Sequence, residues 1–180
     1  MGKFNRTGRN FNGSQRGQAM LESSLIIIPL FAILCAIIDF SMAVFVRNSL
    51  ILAVREGARY AVTGQTGYGG AACQDASVKN VVQTNAMGVL AGAAGLAKIS
   101  INYFDAKTGA DVSAAADSNS GGHVVRISVS GVNWLWMLSG LWENVNAVKK
   151  GTGQHYSGLT IGAASSDVME APPGGIPPCR

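Results

Sequence analysis

The chain has 180 residues, 48% of them hydrophobic and only 13% charged, enough for one modest domain and apolar enough that a hydrophobic segment is expected. Its net charge of +4 equals that of residues 1–17 alone, where Lys3, Arg6, Arg9 and Arg16 have no acidic neighbour, because the other ten of its 14 basic residues balance its 10 acidic ones. The basic balance therefore gives no argument for a nucleic-acid-binding domain, and no nucleic-acid partner is expected.

Residues 1–17 mix those four charges with Gly, Asn, Ser and Thr, so they have nothing from which to build a core and are expected to be disordered when free. The alternative, a solvated nucleic-acid-binding arm, is disfavoured because the tail runs straight into a membrane-length apolar stretch and so reads as a topology signal.

From Ser23 to Val46 the only charged residue is Asp39, and Leu25 to Ile38 is uninterrupted apolar sequence apart from Pro29. About 20 such residues cross a hydrocarbon core of about 30 Å. A secretory signal would have a shorter apolar region and a small-residue cleavage site, whereas here the hydrophobicity continues through Phe40, Met42, Val44, Phe45 and Val46. A lipoprotein signal at Cys35 would want a small residue before the cysteine, and Leu34 is bulky. The four preceding charges predict a cytoplasmic N-terminus and an exported remainder, a bias that Arg47, Arg55 and Arg59 beyond the span weaken.

Arg47 to Val62 has no proline and keeps a helical pattern, with Leu50, Val54, Ala58 and Ala61 on one face and Arg55, Glu56 and Arg59 on the other. One helix over 18–62 would be about 65 Å long, so its outer half must pack on its own domain or on a neighbouring subunit.

Glu22 and Asp39 are acidic residues at the entrance to the span and within it, and charge there is costly enough to suggest a function. For Glu22 alone, an interfacial carboxylate near a helix N-terminus would suffice. However, Arg16-Gly17-Gln18-Ala19-Met20-Leu21-Glu22 resembles the cleavage site of type IV prepilins and pseudopilins, cut after the glycine by a membrane aspartic peptidase. The resemblance implies a mature chain starting at Gln18 with Glu22 as its fifth residue. Glycine lets a protease approach the extended backbone, and the glutamate is placed to pair with the new amino group of an adjacent subunit.

Further along, Pro29, Asp39-Phe40 and Arg55-Glu56-Gly57-Ala58-Arg59-Tyr60-Ala61 follow that site in the order seen in TadE-like proteins, and residues 16–64 resemble that family. Leu21 and Ser23 flank the glutamate where a Val-Glu-Phe run is commoner. The family's proteins are minor pseudopilins of the tight-adherence pilus. The resemblance implies a bacterial inner-membrane protein that is a substrate of a prepilin-type aspartic peptidase and whose partners are other pilins and pseudopilins, pilus assembly components and membrane lipid. Asp39 is read as an intramembrane assembly residue, because a carboxylate between Ile38 and Phe40 needs a polar or cationic partner in the assembled bundle.

After the helix (18–64), the exported domain (65–180) opens with a Gly-rich turn from Tyr68 to Ala72. Val78, Val82, Asn85 and Val89 predict a second helix from Ser77 to Ala97, which Gly88, Gly92 and Gly95 weaken. Ile99, Ile101 and Tyr103 alternate with polar residues, as do Val125, Ile127 and Val129, so both stretches read as strands. A third strand around Leu159 to Ala163 would complete a small antiparallel sheet covered by the long helix. The fold class expected is α+β, a pilin-like lollipop.

Trp134, Leu135, Trp136, Met137, Leu138 and Trp142 form an aromatic cluster that either packs under the sheet or contacts a partner or membrane surface. Cys73 and Cys179 are the two exported cysteines and are expected to form a disulfide, with unpaired or intermolecular thiols the alternative, and Cys35 is expected to stay reduced in the bilayer. His123 and His155 lack metal-ligand spacing with cysteines, no Ser/His/Asp constellation is marked, and the Gly-rich stretches lack a phosphate-loop lysine. No enzyme and no cofactor is expected, and the histidines read as surface residues. The functional expectation is a pseudopilin of an adhesion filament, with a permanent single-pass subunit of the secretion machine as the alternative.

Overall fold

The computed structural model describes residues 14–134, 159–172, 174–175 and 178–180. The tail before Ser14, the aromatic cluster beyond Trp134, and His155 lie outside the described residues. In chain order come helix α1 (Ser14–Val62), a 3-10 turn (Tyr68–Gly70), α2 (Gln74–Asn85), the short α3 (Gly92–Leu96), and strands β1 (Ile99–Asp105), β2 (His123–Trp134) and β3 (Leu159–Val168). The class is α+β: a long apolar N-terminal helix followed by a small domain with an antiparallel sheet of three strands. The chain divides into two compact units, Met1–Phe40 and Ser41–Arg180, and the division falls inside α1.

In the first unit, α1 runs through Pro29 without a break. Ser23 and Ser24 donate their hydroxyls to the carbonyls of Ala19 at 2.8 Å and Leu21 at 2.9 Å, so the helix itself satisfies polar groups that hydrocarbon would not.

The second unit is built around the outer part of α1. Ala43, Val46, Leu50, Ala53, Val54, Ala58 and Ala61 recur at three- and four-residue steps and are all buried, with Leu50, Ala53, Val54 and Ala61 at 0% exposure. They join Val78 and Val82 of α2 and Ile99, Tyr103, Val125, Ile127 and Val129 of the sheet in one core. Of the two coverings that the sequence left open for this half of the helix, its own domain supplies one.

The sheet order is β1-β2-β3, antiparallel throughout, with Ile101 opposite Ile127 and Ile127 opposite Ser165. Side chains of a strand alternate between faces, so the apolar alternation of β1 and β2 puts Ile99, Tyr103, Val125, Ile127 and Val129 on the core side. Between Val129 and Val132 the β2–β3 register shifts by a bulge, where Gly131 takes φ 73°.

Two elements differ from the sequence expectation. The helix expected over Ser77–Ala97 begins earlier, at Gln74, and ends at Asn85. Met87 (φ 49°) and Gly88 (φ 83°) turn the chain into the left-handed region, and Gln83 Nε2 holds the turn by donating to the carbonyls of Leu90 (2.7 Å) and Gly92 (2.8 Å) before α3 starts. β3 extends past Ala163 to Val168, because Ala164, Ser165 and Ser166 keep pairing with β2 although they carry no apolar signal.

Candidate functional site

Gly17, Gln18 and Glu22 all lie on the first turns of α1 and are exposed. A Cβ at Gly17 would meet nothing within 4 Å, so no packing requirement puts glycine there. Glycine inside a helix is destabilising by about 1 kcal/mol relative to alanine, which leaves a cost without a structural return. The bond between Gly17 and Gln18 is helical in this structure, whereas protease binding needs it extended, so the first turn must fray before any cut there.

From Met20 to Phe40 the large apolar side chains are exposed all round the helix, from Leu34 at 50% to Met20 at 77%. A helix with no polar face needs an apolar surrounding on every side, and among the described residues this is the one helix long and apolar enough to cross a membrane. It fits a single-pass membrane protein. Within it Cys35 and Asp39 are buried, Asp39 at 2% exposure.

The segment Arg55-Glu56-Gly57-Ala58-Arg59-Tyr60 splits by face. Gly57 and Ala58 are buried, Arg55 and Arg59 are exposed, and Glu56 and Tyr60 are half-buried. A Cβ at Gly57 would collide with Val82 Cγ2 and lie 3.4 Å from Ile127 Cδ1, so this glycine lets α1 sit directly on α2 and β2. On the outer side Tyr60 meets Tyr68 edge-on with centroids 6.0 Å apart, and Glu56, Arg59, Tyr60, Thr63, Gln65 and Tyr68 line a shallow hollow of about 290 Å³.

A buried polar seam is the second feature of this unit. Gln74, at 0% exposure, donates from Nε2 to the Ala61 carbonyl at the end of α1 (2.7 Å) and accepts at Oε1 from Asn119 Nδ2 (2.7 Å). Asn119, also at 0% exposure, donates on to the Pro178 carbonyl. Beside this relay the structure joins Cys73 and Cys179 in a disulfide, with Cα atoms 4.7 Å apart, and the Gln74 amide donates to the Cys179 carbonyl at 2.7 Å.

Arg180 completes the seam. Its Nε lies 3.1 Å from Asp75 Oδ2, its Nη1 donates to Ser118 Oγ at 2.8 Å and to the Ser113 carbonyl, and its guanidinium sits 4.7 Å above the Tyr103 ring. Tyr103 OH donates to Asp75 Oδ1 at 2.7 Å, and burial first, then the Asp75 charge, keep that phenol protonated well above its ordinary range. His123, read from the sequence as a surface residue, is half-buried, with Nδ1 2.9 Å from the Ser118 carbonyl.

The structure thus gathers Cys73 and Cys179 at one end of the second unit, and sets Gly57 in its core with Arg55, Glu56, Arg59 and Tyr60 around it. Gly17, Gln18, Glu22 and Asp39 belong to the first unit. Sequence reasoning missed Gln74, Asp75, Tyr103 as a polar group, Asn119 and Arg180, which carry no local motif.

Among known protein families, residues 17–59 match the model described as TadE-like protein. No curated protein and no solved structure matches the chain.

Proposed function

We propose, from the match of residues 17–59 to the TadE-like family model, that the chain is a minor pseudopilin contributing to assembly of a tight-adherence pilus used in surface attachment. Its role is structural rather than enzymatic. A prepilin-type aspartic peptidase at the cytoplasmic face of the inner membrane cuts between Gly17 and Gln18, and the C-terminal unit is exported. The observation that carries this reading is that the family match begins at Gly17, a helical glycine that packing does not require, one turn before a glutamate at the head of an apolar helix.

Mass spectrometry of the native membrane protein is expected to find Gln18 as the mature N-terminus, and Gly17→Leu to leave the chain at precursor mass by placing a bulky side chain at the scissile bond. An intact Arg16-Gly17-Gln18 in cells with an active peptidase removes the reading's main support and favours a permanent single-pass subunit of the assembly machine.

Asp39 belongs to the same proposal. A carboxylate between Ile38 and Phe40 in an apolar helix, it supports association with the helices of neighbouring pilus components by pairing with a polar or cationic group in the assembled bundle. Asp39→Ala is expected to reduce crosslinking to those components and pilus output. Unchanged output together with unchanged crosslinks rejects this role.

A further inference from the structure

The disulfide sits at a surface position, since Cys179 is exposed and Cys73 half-buried, so a redox partner reaches it without unfolding the core. Residues 178–180 act as a strap in which every residue hands a group to the body of the domain. The Pro178 carbonyl accepts from Asn119, the Cys179 carbonyl accepts from the Gln74 amide, and Arg180 covers Tyr103 and pairs with Asp75.

What lies under the strap is polar. Gln74, Asn119 and Ser118 are buried there at 0% exposure, beside the carboxylate of Asp75 and the hydroxyl of Tyr103. Lifting the strap therefore lets water take over hydrogen bonds, and the apolar surface it uncovers is the face of the Tyr103 ring under Arg180. The apolar core of Leu50, Val54, Val78, Val82, Val125 and Ile127 includes no residue of the strap.

We propose that Cys73 and Cys179 form a redox latch: oxidised, they hold residues 178–180 over the Gln74–Asn119 seam, and reduced, they release the strap while the helix–sheet core stays folded. Closing is thiol–disulfide exchange with a partner of the disulfide-oxidant class. One cysteine thiolate attacks the oxidant's disulfide, the second attacks the resulting mixed disulfide, and the oxidant leaves as a dithiol carrying the two electrons and two protons. The latch acts as an export checkpoint only under the orientation proposed above, with the strap open in the reducing cytoplasm and closed outside. The test below uses purified chain and is independent of that orientation.

Hydrogen–deuterium exchange on the full chain in detergent micelles decides it, comparing the oxidised protein, the protein held reduced by a phosphine, and Cys73→Ser/Cys179→Ser. Reduction is expected to speed exchange at the Gln74 amide by about 10-fold or more, the change that accompanies local opening of a protected hydrogen bond, with the amides of Val125–Val129 unchanged. The serine variant is expected to match the reduced protein at both places. Gln74 protection that survives reduction overturns the latch, since the strap then holds without the bond. Loss of protection across β2 in step with Gln74, in the reduced protein or the variant, overturns it too, because the disulfide is then a staple of the whole domain.

Discussion

Replacing Gly57 with valine is expected to destabilise the unit formed by residues 41–180 by about 3 kcal/mol, at the upper end of what overpacking a close-packed core costs. The new Cβ falls on Val82 Cγ2, with Ile127 Cδ1 at 3.4 Å and Val78 Cγ1 at 3.8 Å, and both valines are at 0% exposure with no space to retreat. Gly57→Ala meets the same collision but regains up to about 1 kcal/mol of helix propensity, so it should lie between wild type and valine. For a domain of this size, 3 kcal/mol lowers the melting temperature by roughly 6–12 °C, readable by near-ultraviolet circular dichroism of the detergent-solubilised chain. A valine variant that melts with wild type would show that α1 does not lie against α2 and β2 at this point.

Gln74→Leu is expected to cost about 1–3 kcal/mol for a different reason. Leucine fills a similar volume but leaves one donor of the buried Asn119 unpaired, an orphan that costs about 1–3 kcal/mol, while the Ala61 carbonyl keeps the hydrogen bond it accepts from the Gly64 amide. A double-mutant cycle makes the claim specific. Asn119→Leu alone should also destabilise, but the pair Gln74→Leu/Asn119→Leu should lose less than the sum, because replacing both partners removes the unpaired donor and acceptor between them. Strict additivity in denaturant unfolding would mean that the two amides are not coupled.

These two sites differ in how far the sequence announces them. The buried stripe Leu50, Val54, Ala58 and Ala61 was legible because helical periodicity is local, and β1 and β2 were legible because alternation of Ile, Tyr and Val with polar residues is local too. The processing residues Gly17, Gln18 and Glu22 were legible as a motif beside an apolar span. The end of α2 was misplaced because Val89 continues the helical spacing past Met87 and Gly88, whose backbone breaks it. The far half of β3 was missed because Ala164, Ser165 and Ser166 are small and weakly apolar, and cross-strand pairing alone makes them a strand. Gly57 could be read as part of a family-like motif but not as a packing residue, since Val82 and Ile127 reach it only once the chain has folded. The polar seam had no local trace at all.

That seam also has a temporal meaning. Its links join residues far apart along the chain: 45 positions from Gln74 to Asn119, 59 from Asn119 to Pro178, and 106 between the cysteines. Contacts of such separation carry the loop-closure entropy of everything between them, whereas α2 and the β1–β2 pair close over shorter stretches. By that measure α2 and the β1–β2 pair are expected to gain their order before the seam does. Until the seam closes, each new copy carries residues 178–180 unfastened.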